Sequence, residues 1–154
     1  MKILVISDTH GEISAAQRLI KKEKPNYVIH LGDCVRDAEE LSNLFPILPI
    51  CRVSGNNDWF SQEATEKVLT LNDTRIFLCH GHTTGVKNGL EIQWERARRQ
   101  GCSVSLFGHT HSPFLEERDG ILLLNPGSIT YSDTYAVLTV ETGEVPSAEL
   151  RHDA

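Results

Sequence analysis

Seven residues in this chain carry side chains that suit divalent metal ions: Asp8, His10, Asp33, Asn56, His80, His109 and His111. Together they offer imidazole nitrogens, carboxylates and one amide oxygen, without a thiolate. Hard-to-borderline donors of this kind favour Mn, Fe, Zn, Co or Ni over a cysteine-type zinc site. They stand in five short clusters that also hold glycine: Asp8-Thr9-His10-Gly11, Gly32-Asp33, Gly55-Asn56-Asn57-Asp58, His80-Gly81-His82 and Gly108-His109-Thr110-His111. Asp-x-His and His-x-His place two side chains on one side of an extended segment, where both reach one site. Seven donors exceed what one ion takes from a protein and suit two ions about 3.5–4 Å apart sharing a carboxylate. Any single cluster has an ordinary reading as a helix cap or turn. Their joint occurrence is what points to metal. His30 lies inside an apolar run and reads as a hydrogen-bonded structural histidine, and no role is assigned to His152.

The elements that must position these residues follow from apolar patterning. Strands are expected at residues 2–7, 26–31 and 47–54, with helices at 14–24 and 36–44 between them, so the first third reads as strands of a parallel sheet. Strands at 67–71 and 74–80 flank the turn pair Asn72-Asp73, a helix spans 89–100, and a buried strand spans 103–107. From Pro113 onward the pattern predicts a meander of strands at 114–118, 121–125, 134–140 and 147–151, with Asp119-Gly120 and Thr142-Gly143 as hairpin turns. All five clusters then fall just after strands. Ligands of open α/β sheets bind outside the carboxyl ends of the strands, so the clusters should converge. The expected architecture is α/β, a four-layer sandwich of two packed mixed β-sheets flanked by helices, in a single domain spanning 1–154.

Composition bounds the function classes. The chain has 154 residues, 40% hydrophobic and 23% charged, with a net charge of −6. That sign disfavours nucleic acid or an anionic membrane as partner, although bound cations would still admit a phosphate substrate. Cys34, Cys51, Cys79 and Cys102 lack Cys-x-x-Cys spacing and are expected to be reduced, buried apolar residues. Met1 to Asp8 enters a strand without the features of a signal peptide, and no apolar run approaches the roughly 20 residues that span a bilayer. The expectation is a cytoplasmic protein, with a homo-oligomer left open.

In this order the clusters, with Asn125-Pro126-Gly127-Ser128, resemble the calcineurin-like metallophosphoesterase superfamily, and most of all its small prokaryotic, YfcE-like phosphodiesterase branch. The likeness runs from Lys2 to about Val140. It implies a phosphodiesterase or phosphatase with a dinuclear metal centre, most often Mn, in which a bridging hydroxide attacks small phosphate esters. Carried over residue by residue, it gives one ion to Asp8, His10 and His111 and the other to Asn56, His80 and His109, bridged by Asp33. Asp33, Asn56 and His80 would thus stand at the reacting phosphate. Asn57 marks a departure, because the family often has His or Cys there to assist the leaving group and an amide has no usable proton. His82 could substitute if it faces the site, or could serve as a supporting hydrogen bonder. The Asn125–Ser128 turn is expected either to wall the site or to lock a neighbouring loop. A metal-binding scaffold for protein interaction is the alternative function; the retromer subunit of this fold resembles such a case but lacks several of the histidines. A nuclease is disfavoured by the acidic charge.

Overall fold

Apolar runs too short for helices and too continuous for solvated strands build the centre of the molecule. In the computed structural model, which describes residues 1–153, β1 (Lys2–Ile6), β2 (Tyr27–His30) and β3 (Ile50–Arg52) run parallel, with Ile3 opposite Tyr27 and Val28 opposite Ile50. Helices α1 (Ile13–Glu23) and α2 (Val35–Leu44) make the two crossovers. The second half supplies β4 (Glu66–Leu71), β5 (Thr74–Cys79), α3 (Glu91–Arg99), β6 (Val104–Leu106), β7 (Phe114–Arg118), β8 (Ile121–Asn125), β9 (Thr134–Thr139) and β10 (Ser147–His152). The strands form two five-stranded mixed sheets, ordered β10-β9-β1-β2-β3 and β4-β5-β6-β8-β7.

Strand periodicity sorts the core into layers. Ile3 and Val5 point between the sheets, where they meet Ile29, Leu31, Leu78 and Leu106. Leu4 and Ile6, one residue out of phase, pack with Ala16 and Leu19 of α1 and Leu41 of α2. On the far side Phe77, Phe107 and Leu123 pack with Ala97 of α3. The result is the expected four-layer sandwich.

Two local expectations are corrected. The third strand is only Ile50–Arg52 rather than 47–54: Pro49 cannot donate to a ladder, and Ser54 N–H turns to Ala64 O (2.9 Å) instead. The residues after Pro113 do not form one meander. The β7–β8 hairpin joins the second sheet, with β8 parallel to β6, whereas β9–β10 adds antiparallel to β1 in the first. The chain crosses between sheets at Asn125–Asp133. Cys79 and Cys102 are buried as expected, but Cys34 and Cys51 are only half-buried.

Glu23, buried in the last turn of α1, ties that helix to β1, β9 and β10. Its carboxylate accepts from Tyr135 Oη (2.8 Å), Arg151 Nη1 (2.6 Å) and Lys2 Nζ (2.9 Å). Burial alone would raise its pKa, but these three partners hold it at about 2. Its folded-state pKa lies below the unfolded value, so its stabilising contribution is full above pH 4.5 and fades as pH falls toward 2. Glu23→Gln is expected to lower the thermal midpoint at pH 7 by several degrees. The gap from the parent chain should narrow between pH 4.5 and 2, as calorimetry across that range would show.

Candidate metal centre

The five clusters follow β1, β2, β3, β5 and β6, and backbone hydrogen bonds knit them into one surface. Asp8 N–H donates to Gly32 O (3.0 Å), His10 N–H to Asp33 O (3.3 Å) and Gly108 N–H to His80 O (2.7 Å). His109 N–H reaches from the second sheet to Asp8 Oδ2 in the first (3.3 Å). This crowding explains two glycines. A Cβ at Gly55 would lie 2.0 Å from Asp33 Oδ1, and one at Gly108 would lie 2.3 Å from Ser7 Oγ. The site also stores backbone strain. Asp8, His10, Asp33, His109 and His111 have φ of 56°, 47°, 47°, 69° and 61°, a left-handed region that residues with a Cβ rarely occupy.

Two groups of donors lie within 4.8 Å of one another: Asp8 with His10 and His111, and Asp8 with Asp33 and His80. Asp8 is fully buried. Its Oδ2 accepts from Ser7 Oγ (2.6 Å), but its Oδ1 has no hydrogen-bond donor. That bare oxygen faces His111 Nε2 at 3.2 Å, His10 Nε2 at 3.7 Å and His80 Nε2 at 3.9 Å. His10 Nε2 is likewise buried and unpartnered. His80 Nδ1 donates to Leu31 O (2.8 Å), which turns its Nε2 toward Asp33 Oδ2 (3.5 Å) and His109 Nδ1 (3.2 Å). Metal–nitrogen bonds of about 2.0–2.1 Å put neighbouring donors on one ion about 3–3.5 Å apart, close to these spacings. Burial, reinforced by His80 and Lys87, lowers His109 to about 4, so its imidazole is neutral near pH 7. Orphaned carboxylate and imidazole atoms converging in a buried space fit a cation.

The remaining sequence candidates divide. Asn56 is exposed and lines the mouth of a cavity of about 390 Å³, whose wall also includes His10, Asp33, His109 and His111. Asn57 lines it too and clamps Asp33: its backbone N–H donates to Oδ1 (3.0 Å) and its Nδ2 to Oδ2 (2.8 Å). His82 stands beside the cluster, its ring 5.6 Å from His80 and 6.2 Å from His109, and its buried Nδ1 has no hydrogen-bond partner. His30 takes the structural role: Gly32 N–H donates to its Nδ1 (3.1 Å), its Nε2 donates to Thr9 Oγ1 (3.0 Å), and Thr9 donates to Asp37. The Asn125–Ser128 turn is a lock. Ser128 Oγ donates to Asp8 O (2.9 Å), and Asn125 Nδ2 donates to Gly108 O (3.2 Å) and Thr110 Oγ1 (2.9 Å).

Three further residues serve the site, of which Tyr131 and Lys87 lie in no motif. Asp58 accepts N–H bonds from Asp33 (3.0 Å), Val35 (2.8 Å) and Gly55 (2.7 Å), holding two ligand loops together. Its place in Gly55-Asn56-x-Asp58 was the available signal. Tyr131 stacks on His111 with centroids 4.9 Å apart and planes at 20°. Tyr131 and Lys87 both line the cavity.

The family model for the calcineurin-like phosphoesterase superfamily domain matches residues 1–143. The chain belongs to that superfamily. It is 36% identical over 149 residues to the probable metallophosphoesterase YsnB of Bacillus subtilis, across 92% of this chain and 85% of that protein. It is 27% identical over 156 residues to the phosphodiesterase YfcE of Escherichia coli, across 84% of this chain and 80% of that protein. The solved YfcE structure superposes with a TM-score of 0.68 at 25% identity, covering 90% of this chain and 88% of that one. Zinc-bound Vps29 of Entamoeba histolytica shares the fold, with a TM-score of 0.76 at 22% identity and 99% of each chain covered.

Gly55→Ala tests the packing of the site, since the added Cβ must displace Asp33. The expected result is a loss of about tenfold or more in manganese affinity by titration calorimetry, the size typical of disturbing a ligand's supports, with circular dichroism confirming that the chain is folded. Unchanged affinity would show that metal binding does not depend on where Gly55 lets Asp33 sit.

Proposed function

We propose that this chain is a metal-dependent phosphodiesterase of small substrates, holding two divalent cations, with manganese the first choice. The observation that carries this reading is the bare, fully buried Asp8 Oδ1 facing three imidazole nitrogens. In the proposed arrangement Asp8, His10 and His111 hold one cation, Asn56, His80 and His109 hold the other, and Asp33 is shared. The first set coincides with one donor group, while the second group joins Asp33 and His80 through Asp8. When bound, the cations supply hydroxide near neutral pH and neutralise charge developing at phosphorus.

The chain's own residues prepare that chemistry. The Leu31 carbonyl fixes the His80 tautomer, and Ser7 fixes the rotation of the Asp8 carboxylate. Lys87, a cation on the cavity wall, is placed to meet a non-bridging phosphoryl oxygen. Asn57 is engaged on Asp33 and has no proton to give, so the position after Asn56 supplies no acid to the leaving group. The cavity is open to solvent, which suits a diester with two arms. No helix among the described residues is long and apolar enough to cross a membrane, and a cytoplasmic location is part of this reading. The complete donor set favours hydrolysis over the scaffold alternative.

Purified chain with added manganese is expected to hydrolyse an aryl phosphodiester, and His80→Ala to lose about a thousandfold in turnover. Full metal occupancy with no turnover would transfer the reading to the scaffold. Across aryl esters of rising leaving-group pKa the rate should fall steeply. A flat dependence with chemistry rate-limiting would reveal a proton donor.

A further inference from the structure

A groove of about 600 Å³ lies beside the metal cavity, between the first turn of α2 and the loop after β3. Arg36, Asn57, Trp59 and Phe60 are on its walls. Asn57 lines both spaces, so the groove opens beside the clamped Asp33. Trp59 is 81% exposed and Phe60 101%, and neither belongs to any of the core clusters. Two adjacent aromatic rings in water contribute nothing to the packing described above. Of the carboxylates on the groove wall, Glu63 is paired with Arg52 (3.1 Å) and Lys67 (2.8 Å) and Asp58 accepts three backbone N–H bonds, whereas Glu39 and Arg36 are exposed.

We infer that this groove receives one organic arm of the substrate, and that the arm is nucleotide-like, with its flat base on Trp59 and Phe60 and Arg36 beside its polar groups. The inference rests on the phosphoesterase reading above. A phosphate seated at the metal centre beside Asn57 must send its ester arms out of a small cavity, and the groove adjoins it on that side. Its volume lies in the usual range for small-molecule sites of about 300–1,000 Å³. Every nucleobase has a π-face, and stacking on an aromatic side chain gives affinity without base-specific hydrogen bonds. The acidic chain disfavours a polynucleotide, so a single nucleotide arm is the better match.

The test compares AMP with ribose 5-phosphate as inhibitors of manganese-dependent aryl diester hydrolysis, because the two differ by the base alone. AMP should inhibit about tenfold more tightly. In Trp59→Ala/Phe60→Ala the two should become equal through weakening of AMP, while ribose 5-phosphate stays within about twofold of its original value. Tryptophan fluorescence in a Trp94→Phe background gives a second readout: AMP should quench Trp59, and ribose 5-phosphate should not. If the chain lacks turnover, the phosphoesterase reading fails and the fluorescence titration still judges the groove. Equal inhibition by both ligands in the active parent chain would overturn this inference alone. So would a dimer that dissociates in the double variant without any change in AMP preference, which would make the rings a contact between copies.

Discussion

An ionised carboxylate oxygen buried without a hydrogen bond costs several kcal/mol, and a second carboxylate nearby adds repulsion. Asp8 Oδ1 is in that position, with Asp33 in the same donor group and imidazole nitrogens rather than N–H donors from the backbone around it. A fold does not accumulate such a liability where the core could be apolar. A cation turns the same arrangement into coordination bonds, and the other features of the site are consistent with that requirement. Five donors accept left-handed backbone angles so that their side chains turn inward from the loop tips.

Strain of this kind persists only when the surroundings over-determine it. Here the restraints come from both sheets. Ser128 holds the Asp8 backbone, Asn125 holds Gly108, Asp58 joins the Asp33 and Gly55 loops, and the His30–Thr9–Asp37 chain secures the segment between Asp8 and His10. Gln93 of α3 braces the second sheet through Ser105 (2.8 Å) and Thr84 (2.7 Å) close to His80. Removing a ligand would delete one donor. Removing a brace would release a loop, and the two kinds of change should differ in how far they spread.

The four-layer architecture and the meeting of the five clusters were legible because continuous apolar strands and polar, glycine-bearing strand ends are both local signals. Which sheet each late strand joins was not legible: Asp119-Gly120 and Thr142-Gly143 specify hairpins, but pairing of β8 with β6 and of β9 with β1 depends on which long-range surfaces remain to be covered. Tyr131 and Lys87 were missed for a related reason, since they come from a loop and a short 3₁₀ turn without motif spacing and reach the cavity only through tertiary structure. For Asn57 the absence of a usable proton could be read from residue type alone. Its two hydrogen bonds to Asp33 could not, because they require knowing that two loops 24 residues apart touch.

The most direct measurement is anomalous diffraction from crystals of this chain soaked in manganese, recorded on both sides of the metal absorption edge. Two peaks should appear, one among Asp8, His10 and His111 and the other among Asn56, His80 and His109, with Asp33 touching both. A single peak, or peaks elsewhere while this pocket holds only water, would contradict the dinuclear centre and leave the buried charge of Asp8 without its explanation.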